Sequence, residues 1–310
     1  MTKMNYVEGL PSLDLQGVAS YIRNGHAKKI IVLSGAGIST AAGIPDFRSP
    51  DTGIYDNVQK YNLPSPESLF EINFFRDNPK PFFDFSKEFL KCDYKPTPAH
   101  FLSSLFQQKG ILKRVYTQNI DSLDRKVGIS DELLIEAHGH YESAHCLSCK
   151  KEYKLNEIKS DLLTGEILYC KNENCKGIIK PDVVFYNEDL PEDFYDQLES
   201  DFEDCDLLIV IGTCLKVEPF GAIIEYVPRN IPRVLINREM VKTYNEDPIV
   251  VNGKIIDKSP ERLSQLFKFG HILNRRDIFL GGDCQESVIR LVNEIGWKDE
   301  FDLLQKKCAK

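Results

Sequence analysis

The chain has 310 residues, of which 42% are apolar and 28% charged, and this is enough for one large domain or two modest ones with a sizeable core. Its net charge of −8 argues against a general nucleic-acid binder. The opening residues MTKMNYVEGLPSLDL lack a secretory signal, and no apolar run reaches the roughly 18 residues of a membrane span. We therefore expect an intracellular protein whose cysteines are reduced thiols or metal ligands rather than disulfides.

Six short apolar runs rich in Ile, Val and Leu stand between glycine or polar residues. They are Ile30–Leu33, Val115–Thr117, Leu133–Ile135, Leu207–Ile211, Val234–Ile236 and Ile278–Leu280. Short runs without alternation are typical of buried parallel strands. Because helix signals lie between them, the pattern predicts an α/β fold with a parallel sheet.

Two helices are predicted from their start and stop signals. Thr97 followed by Pro98 is an N-cap with proline at the first helical position, and Gly110 closes that helix. A second Ser-Pro start at residue 65 and a stop at Pro79 predict another helix.

Each of the six runs ends in polar or glycine residues, at positions 34–37, 118–121, 136–139, 212–214, 237–239 and 281–284. Ligands bind outside the carboxyl ends of the strands in open α/β sheets. We therefore expect these six strand ends to line one crevice.

The first strand end contains a Gly35-Ala36-Gly37 turn, which can place backbone N–H groups against a pyrophosphate. A strict G-x-G-x-x-G fingerprint would require glycine where Thr40 stands. The turn alone is therefore a weak signal, and a tight strand-to-helix turn without a ligand explains it as well.

Other strand ends offer candidate catalytic groups. His138 follows an apolar run, so we expect it to point into the crevice, where a histidine can act as a general base, although a lone histidine is more often structural. Asn119 and Asp121 follow another run and could bond ribose hydroxyls or a carboxamide, or cap the next helix.

Four cysteines, Cys146, Cys149, Cys170 and Cys175, form a C-x-x-C pair and a C-x₄-C pair separated by 20 residues. Two such pairs satisfy tetrahedral zinc and leave no open coordination position, which predicts a structural metal. Four unrelated buried thiols are the weaker interpretation. His145 is expected to be a bystander.

Two stretches interrupt the alternation of strands and helices. Residues 48–96 are helical and Phe-rich, and residues 141–180 carry the cysteines with little strand pattern, so we expect a smaller lobe made of a helical insertion and a zinc-binding module. Residues 243–270 are expected to be an extended loop. The remainder should form a Rossmann-like, doubly wound domain made of residues 1–47, 97–140 and 181–310.

Motifs that occur in one order over residues 35–284 carry a family resemblance. They are GAGISTAAGIPDFRSPDTGIYDN, YTQNIDSLDR, EAHGH, the four-cysteine module, KPDVVFYNEDLP, IGTCLKVEPF, INRE and GGDC. Together they closely resemble the sirtuin family of NAD-dependent protein-lysine deacylases, over nearly the whole chain. HAKKIIVLSGAGIST, PFFDFSKEF, KPTPAHFLSSL and the final GW-K-E are most similar to the subgroup typified by human sirtuin 2.

The resemblance implies that NAD is cleaved rather than used for hydride transfer. The acyl oxygen of acetyl-lysine would attack the ribose C1′ as nicotinamide leaves, and hydrolysis would give O-acetyl-ADP-ribose and free lysine. His138, with Asn119 as the second catalytic residue, would activate a ribose hydroxyl as general base. A structural zinc completes the implied cofactors.

The resemblance also implies a set of NAD contacts. The Gly-Ala-Gly turn would take the phosphates with Arg48 as a charged donor, and Phe47 would cover the ribose C1′ face against water. Residues 118–119 would contact the ribose, residues 120–121 the nicotinamide carboxamide, and the later strand ends the adenosine. The implied set is Gly35, Ala36, Gly37, Asp46, Phe47, Arg48, Gln118, Asn119, Ile120, Asp121, Gly212, Thr213, Cys214, Asn237, Arg238 and Cys284.

By the same resemblance, Val184, Phe185 and Tyr186 form the strand that pairs with the substrate peptide. The family usually has Phe-Gly-Glu where residues 186–188 read Tyr-Asn-Glu, and usually Ser where Cys214 stands. Asn adopts a positive φ more readily than most residues, so we expect the turn to survive. The Tyr and Arg of the desuccinylating subclass are not evident, which favours uncharged acyl groups such as acetyl.

The expected partners are acetylated-lysine proteins, either histones or cytoplasmic proteins, with no direct nucleic-acid or membrane partner and a cytoplasmic location with access to the nucleus. The alternative is a protein ADP-ribosyltransferase or NAD glycohydrolase on the same scaffold, motivated by Asn187. A zinc-ribbon module that binds chromatin or RNA is disfavoured by the acidic chain, and a dehydrogenase by the broken glycine fingerprint.

Overall fold

The computed structural model describes residues 6–47, 53–244, 249–251, 254–256 and 265–308. Its strands are β1 (Ile30–Ser34), β2 (Leu112–Thr117), β3 (Leu134–Glu136), β4 (Gly139–Cys146), β5 (Glu152–Lys154), β6 (Ile179–Val183), β7 (Leu207–Ile211), β8 (Arg233–Asn237), β9 (Ile249–Val251), β10 (Lys254–Ile256) and β11 (Asp277–Gly281). Its α-helices are α1 (Leu15–Arg23), α2 (Ile54–Asn57), α3 (Ile72–Asp77), α4 (Lys80–Lys91), α5 (Pro98–Gln108), α6 (Leu123–Lys126), α7 (Leu155–Leu162), α8 (Glu192–Glu203), α9 (Cys284–Ile295) and α10 (Lys298–Cys308).

A six-stranded parallel sheet in the order β11-β8-β7-β1-β2-β3 forms the centre of the larger part of the structure. Its six strands are the six predicted from apolar runs, so the α/β prediction is confirmed. β2 begins at Leu112, three residues before the predicted start at Val115. The sequence hid this start because Lys113 and Arg114, which are only half buried, interrupt the apolar run.

Both faces of this sheet are covered. In β1, Ile30 and Val32 belong to one hydrophobic cluster, together with α1, α5 and α9, while Ile31 and Leu33 belong to another on the opposite face. Successive strand residues point to opposite faces, so a strand buried on both faces must be apolar throughout. This explains why the predicted runs lack alternation.

The order of connections reverses beside β1. Chain order runs outward from β1 through β2 to β3 on one side, and from β7 through β8 to β11 on the other. Such a reversal leaves a crevice between the loops that follow the two neighbouring strands, here β1 and β7.

A second, three-stranded antiparallel sheet in the order β5-β4-β6 holds much of residues 141–180, together with α7. The sequence shows little strand pattern in this stretch, and the search for apolar runs did not find these strands. β4 reads GHYESAHC, and its buried positions are interspersed with half-exposed and exposed polar ones. An antiparallel strand with one wet face needs few apolar residues, and a search for continuous apolar runs does not find it.

The helix predicted from residue 65 to Pro79 is divided in two. A 3-10 turn covers Pro66–Phe70, Glu71 is extended and pairs with Tyr186, and α3 follows. The helix predicted to start at Thr97 is confirmed as α5. An aromatic cluster fills the space between the helical insertion and the second sheet, with edge-on pairs such as Phe82–Phe185 at 4.8 Å between ring centroids.

The stretch predicted as an extended loop, residues 243–270, contains the antiparallel pair β9–β10, and much of the rest of it lies outside the described residues. The proposed domain bounds stay a prediction. Within the described part of the chain, no helix has the length and apolar character needed to cross a membrane.

Candidate active site

A cleft of about 610 Å³ opens at the carboxyl ends of the central strands, beside the reversal between β1 and β7. This volume falls within the ~300–1,000 Å³ usual for small-molecule and cofactor sites. The predicted site residues that line it are Ala36, Gly37, Asp46, Phe47, Gln118, Asn119, Ile120, His138, Val184, Phe185, Tyr186, Gly212, Thr213, Cys214, Asn237, Arg238 and Cys284.

Two predicted residues do not line the cleft, and the structure does not describe a third. Gly35 and Asp121 are not among the residues that line the cleft. The Asp121 carboxylate accepts the Leu123 amide at 2.9 Å and the Ser39 hydroxyl at 2.6 Å, so it is bonded to the first residue of α6 and to the loop after β1. Arg48 lies outside the described residues.

The glycines of the first loop are needed for close packing against the loop after β7. A Cβ on Gly37 would lie 2.8 Å from the Gly212 Cα, and one on Gly35 would lie 2.6 Å from the Thr213 Cβ. The amides of Gly35 and Gly37 donate to Ile211 and Gly212 carbonyls at 3.1 Å and 2.8 Å. These two amides are therefore committed to joining the strand ends, and the phosphate contacts stay a prediction.

Two strand ends are also joined by side chains. The Thr213 hydroxyl donates to Gln118 Oε1 at 2.6 Å and accepts the Leu215 amide at 3.1 Å. Both Thr213 and Gln118 line the cleft. The bond orients the Gln118 side-chain amide at the cleft wall.

His138 is held as a neutral base. Its Nδ1 lies 3.1 Å from the Gln118 carbonyl oxygen, which can only accept, so Nδ1 carries the proton and Nε2 is the unprotonated nitrogen. Burial lowers the pKa of His138 to about 4, and the bond to the Gln118 carbonyl opposes that shift. The ring is therefore uncharged at neutral pH.

A buried hydrogen-bond network lies behind Asn119. The Asn119 side-chain nitrogen Nδ2 donates to the Gly35 carbonyl at 3.2 Å and to Ser39 Oγ at 3.3 Å. His100 Nδ1 accepts the Thr97 amide, so its Nε2–H faces Ser39 Oγ at 3.3 Å, and burial lowers the pKa of His100 to about 3. This network fixes the Asn119 side chain at the cleft wall.

The four cysteine sulfurs lie within 4.8 Å of one another. Cys146 and Cys175 are 3.5 Å apart and Cys149 and Cys170 are 3.6 Å apart, close to the ~3.8 Å edge of a tetrahedron with Zn–S bonds of about 2.3 Å and far above the ~2.05 Å of a disulfide. The predicted clustering is confirmed, and its all-thiolate donor set fits zinc.

His145 lies outside that cluster. Its Nδ1 is 2.7 Å from Asp182 Oδ1, and the metal-type cluster of the described residues contains the four cysteines without it. That His145 is a bystander stays a prediction, with which this geometry agrees. None of the four cysteines is among the residues lining the cleft, which agrees with a structural metal.

Residues 35–219, more than half of the chain, match the Sir2 family. The chain belongs to the Sir2 family. The resemblance to sirtuins drawn from the ordered motifs is therefore confirmed.

Several Sir2 relatives are similar to this chain over most of its length. It is 45% identical over 293 residues to the "NAD-dependent deacetylase sir2A" of Dictyostelium discoideum, which covers 94% of this chain and 54% of the relative. It is 41% identical to the "NAD-dependent protein deacetylase sirtuin-2" of Danio rerio, over 96% of this chain and 76% of the relative. It is also 41% identical to the "NAD-dependent protein deacetylase hst2" of Schizosaccharomyces pombe, over 94% of this chain and 80% of the relative. The chain thus spans about half the length of the first relative.

In this Sir2 protein, the predicted substrate strand leads out of the second sheet along the cleft. The Val184 amide donates to the His138 carbonyl at 2.8 Å, and the Tyr186 amide donates to the Phe70 carbonyl at 2.7 Å. Asn187 has φ +69°, so the turn survives the replacement of the usual Sir2-family glycine, as expected.

Sequence reasoning missed several side chains that line the Sir2 cleft, among them Thr40, Tyr55, Tyr195 and Glu218. Thr40 and Tyr55 belong to the first motif, and Glu218 to the KVEPF segment, so the motifs contained them without assigning a role. Tyr195 is half exposed on α8 and carries no signal in the sequence, because its place at the cleft depends on long-range packing.

Proposed function

We propose that this Sir2-family protein is an NAD-dependent protein-lysine deacetylase. It uses NAD as co-substrate, releases nicotinamide, and yields O-acetyl-ADP-ribose and free lysine. The observation that carries the proposal is that the neutral His138 lines one cleft together with the cofactor-loop residue Phe47 and the predicted peptide strand. The names of the relatives, all NAD-dependent deacetylases, support the same activity.

His138 is the proposed general base. Because the Gln118 carbonyl holds the Nδ1 proton, Nε2 is the atom that accepts a proton from a ribose hydroxyl. Its lowered pKa keeps this nitrogen unprotonated at neutral pH. Asn119 is proposed to orient the ribose, and the bonds of its side chain to Ser39 and the Gly35 carbonyl support this role.

Phe47 is proposed to shield the reacting ribose carbon. Its ring lines the cleft and packs edge-on against Tyr55 at 5.8 Å and Phe70 at 5.7 Å between ring centroids. An apolar ring fixed on two sides excludes water from an electron-poor carbon, which favours attack by the acetyl oxygen over hydrolysis.

The proposed nicotinamide contact rests on Ile120 rather than on a free Asp121 carboxylate. Ile120 lines the cleft, whereas Asp121 is bonded to Ser39 and to the Leu123 amide. Asp121 thus supports the loop that presents the Ile120 backbone. On the opposite side, Thr213, Asn237 and Arg238 are proposed to face the adenosine.

Zinc, bound by the four cysteines, would cross-link the turn after β4 to the segment that precedes β6, at one end of the small antiparallel sheet. The backbone amides of Cys149 and Gly177 lie 3.5 Å and 3.4 Å from Cys146 Sγ and Cys175 Sγ, and such bonds stabilise thiolates. The residues therefore fit a structural role, and no reaction step depends on the metal.

The proposed substrates are acetylated-lysine proteins, either histones or cytoplasmic proteins, bound along residues 184–186 by strand addition. A cytoplasmic location with access to the nucleus is proposed from the similarity to the sirtuin-2 relative. The absence of nucleic-acid and membrane partners stays a prediction.

The deciding experiment measures nicotinamide release by the purified protein given NAD, with and without an acetyl-lysine peptide, and follows the peptide mass in the same tube. The expected result is peptide-dependent release with loss of one acetyl group per nicotinamide. Release without deacetylation would instead favour the ADP-ribosyltransferase or glycohydrolase alternative, and binding of NAD without any release would contradict both.

A further inference from the structure

The turn after the substrate strand is bonded to the start of helix α3 by a side chain. Asn187 Nδ2 donates to Glu71 Oε1 at 2.8 Å. The Glu71 carboxylate also caps α3, because it accepts the amides of Asn73 at 3.1 Å and Phe74 at 2.6 Å. These bonds lower the pKa of Glu71, with the Phe74 amide as the largest cause and Asn187 next. Asn187 therefore holds a carboxylate that a helix start already fixes.

A second side-chain bond lies one residue earlier. The hydroxyls of Tyr186 and Tyr55 are 3.1 Å apart. Tyr55 in turn is held against Phe47, since its amide donates to the Phe47 carbonyl at 3.2 Å and its ring packs edge-on against the Phe47 ring. Tyr186 thus connects the substrate strand to the aromatic residue proposed to cover the reacting ribose.

The backbone alone makes only a short contact here. The Tyr186 amide and carbonyl bond to the Phe70 carbonyl and the Ile72 amide at 2.7 Å and 3.3 Å, which is a single bridge. Phenylalanine at 186 would keep that bridge and lose the hydroxyl, and glycine at 187 would keep the positive φ and lose the amide. The two side chains are therefore what extends the bridge to the cofactor loop and to α3.

We propose that Tyr186 and Asn187 are positioning residues that couple the peptide-binding strand to the cofactor loop and to helix α3. A peptide on this strand orders the Tyr186 hydroxyl, which holds Tyr55 and, through it, the Phe47 ring over the nucleotide. The inference rests on the proposed function, since it takes the occupants of the cleft to be an acetylated peptide and NAD. Such coupling is reciprocal, so the nucleotide strengthens peptide binding by the same factor.

The test measures, by calorimetry, the Kd of carba-NAD, an unreactive NAD analogue, with and without a saturating acetyl-lysine peptide. The proteins are the wild type, Tyr186→Phe, Asn187→Gly and the double variant. The peptide should tighten carba-NAD binding in the wild type, and the double variant should lose about 3- to 10-fold of that factor, the size expected for one or two hydrogen bonds. The Kd of carba-NAD alone should change less than about twofold, because neither deleted group is a proposed nucleotide contact.

Two matched variants serve as controls. Tyr226→Phe removes a hydroxyl from an exposed tyrosine that does not line the cleft. Asn62→Gly replaces another exposed asparagine with positive φ, +50°. Both should keep the wild-type coupling factor. Thermal unfolding of every variant separates a loss of coupling from a loss of stability, because a merely structural role would lower the Tm and leave the factor unchanged.

The outcomes separate this inference from the proposed function. An unchanged coupling factor in the double variant, or independent binding of the two ligands by the wild type, overturns the inference, while peptide-dependent nicotinamide release by the same wild-type protein still supports the deacetylase. A wild type that neither binds the peptide nor releases nicotinamide overturns both.

Discussion

The guanidinium of Arg233 and the carboxylate of Asp277 form a buried ion pair between neighbouring strands, with two bonds of 2.7 Å and 3.0 Å and side chains only 1% and 2% exposed. The Arg233 Nη1 donates to the carbonyls of Ile224 and Gln265, and Nη2 also donates to the carbonyl of Leu266. Arg233 begins the strand that ends at Asn237 in the cleft. The pair thus joins the edge of the sheet to the loops that flank it.

Removing one partner of this pair should strongly destabilise the fold. Asp277→Asn leaves the Arg233 charge buried without its counter-ion, and we expect a loss of about 3–5 kcal/mol in the free energy of unfolding. Urea titration measures it. Asp302→Asn, which breaks the exposed pair of Asp302 with Lys298 at 2.6 Å, is the control and should change the stability by about 0.5 kcal/mol or less. Equal losses of stability in the Asp277 and Asp302 variants would contradict the larger contribution of the buried ion pair.

Loss of the proposed base should separate binding from chemistry. We expect His138→Ala to reduce kcat by ~10²–10⁴-fold, the usual contribution of a general base, with the Kd for NAD changed only slightly. His26→Ala, a change of an exposed histidine stacked on Tyr21, should leave both unchanged. A variant at His138 with near-normal turnover would remove the base assignment.

The acid limb of activity should lie below the ordinary imidazole range. The pKa of His138 is lowered to about 4, so the base is active above that pH and is lost as pH falls through about 4, not through the ~6.5 of a free imidazole. The profile of kcat/KM against pH reports this value for the free enzyme. A limb centred near 6.5 would mean that another group, or a solvated His138, controls the reaction.

A buried acid should weaken the fold as pH rises. Burial, with the charges of Asp121 and Glu136 adding to it, raises the pKa of Asp124 to about 8. Between the unfolded value near 3.9 and about 8, the folded state keeps a proton that the unfolded state has lost, so this group's contribution to stability falls as pH rises through that window. Asp124→Asn should flatten the decline between pH 5 and pH 8 in urea titrations by up to ~1.4 kcal/mol per pH unit. If the pH dependence of stability is the same in the variant and the wild type, Asp124 is ionised in the folded protein over this range.

Metal removal should unfold the small sheet. We expect one equivalent of zinc per chain, and we expect Cys170→Ser to lower Tm by about 10 °C, corresponding to roughly 3 kcal/mol of lost metal binding in a domain of this size. Cys92→Ser, at an exposed cysteine outside the cluster, should retain both the zinc and the Tm. Full zinc content in the Cys170 variant would show that this thiol is not a ligand.

The sequence predicted the central sheet well because its strands are buried on both faces, and such strands are continuous apolar runs. It predicted the cleft because parallel strands bring their polar ends together. It missed the small sheet, whose strands have one solvent-exposed face. It also missed the break at Glu71, which arises because Tyr186, far away in the chain, offers a backbone partner. The contact of His100 with Ser39, 61 residues apart, is likewise set by tertiary packing that no local pattern records.

The burial of β1 on both faces has a consequence for folding accuracy. In a strand that alternates polar and apolar residues, a one-residue slip in register is energetically unfavourable, because it buries the polar side chains. Within Ile30–Leu33 all four side chains are apolar, so a one-residue slip would exchange hydrocarbon for hydrocarbon there, and polarity inside this segment does not set the register. The register of β1 is set instead by the close packing of Gly35 and Gly37 against the Gly212 loop. A shift by one residue would place a side chain where only a glycine fits beside that backbone. Gly37, which lines the cleft, and Gly35 beside it therefore also set the register of β1 in the sheet.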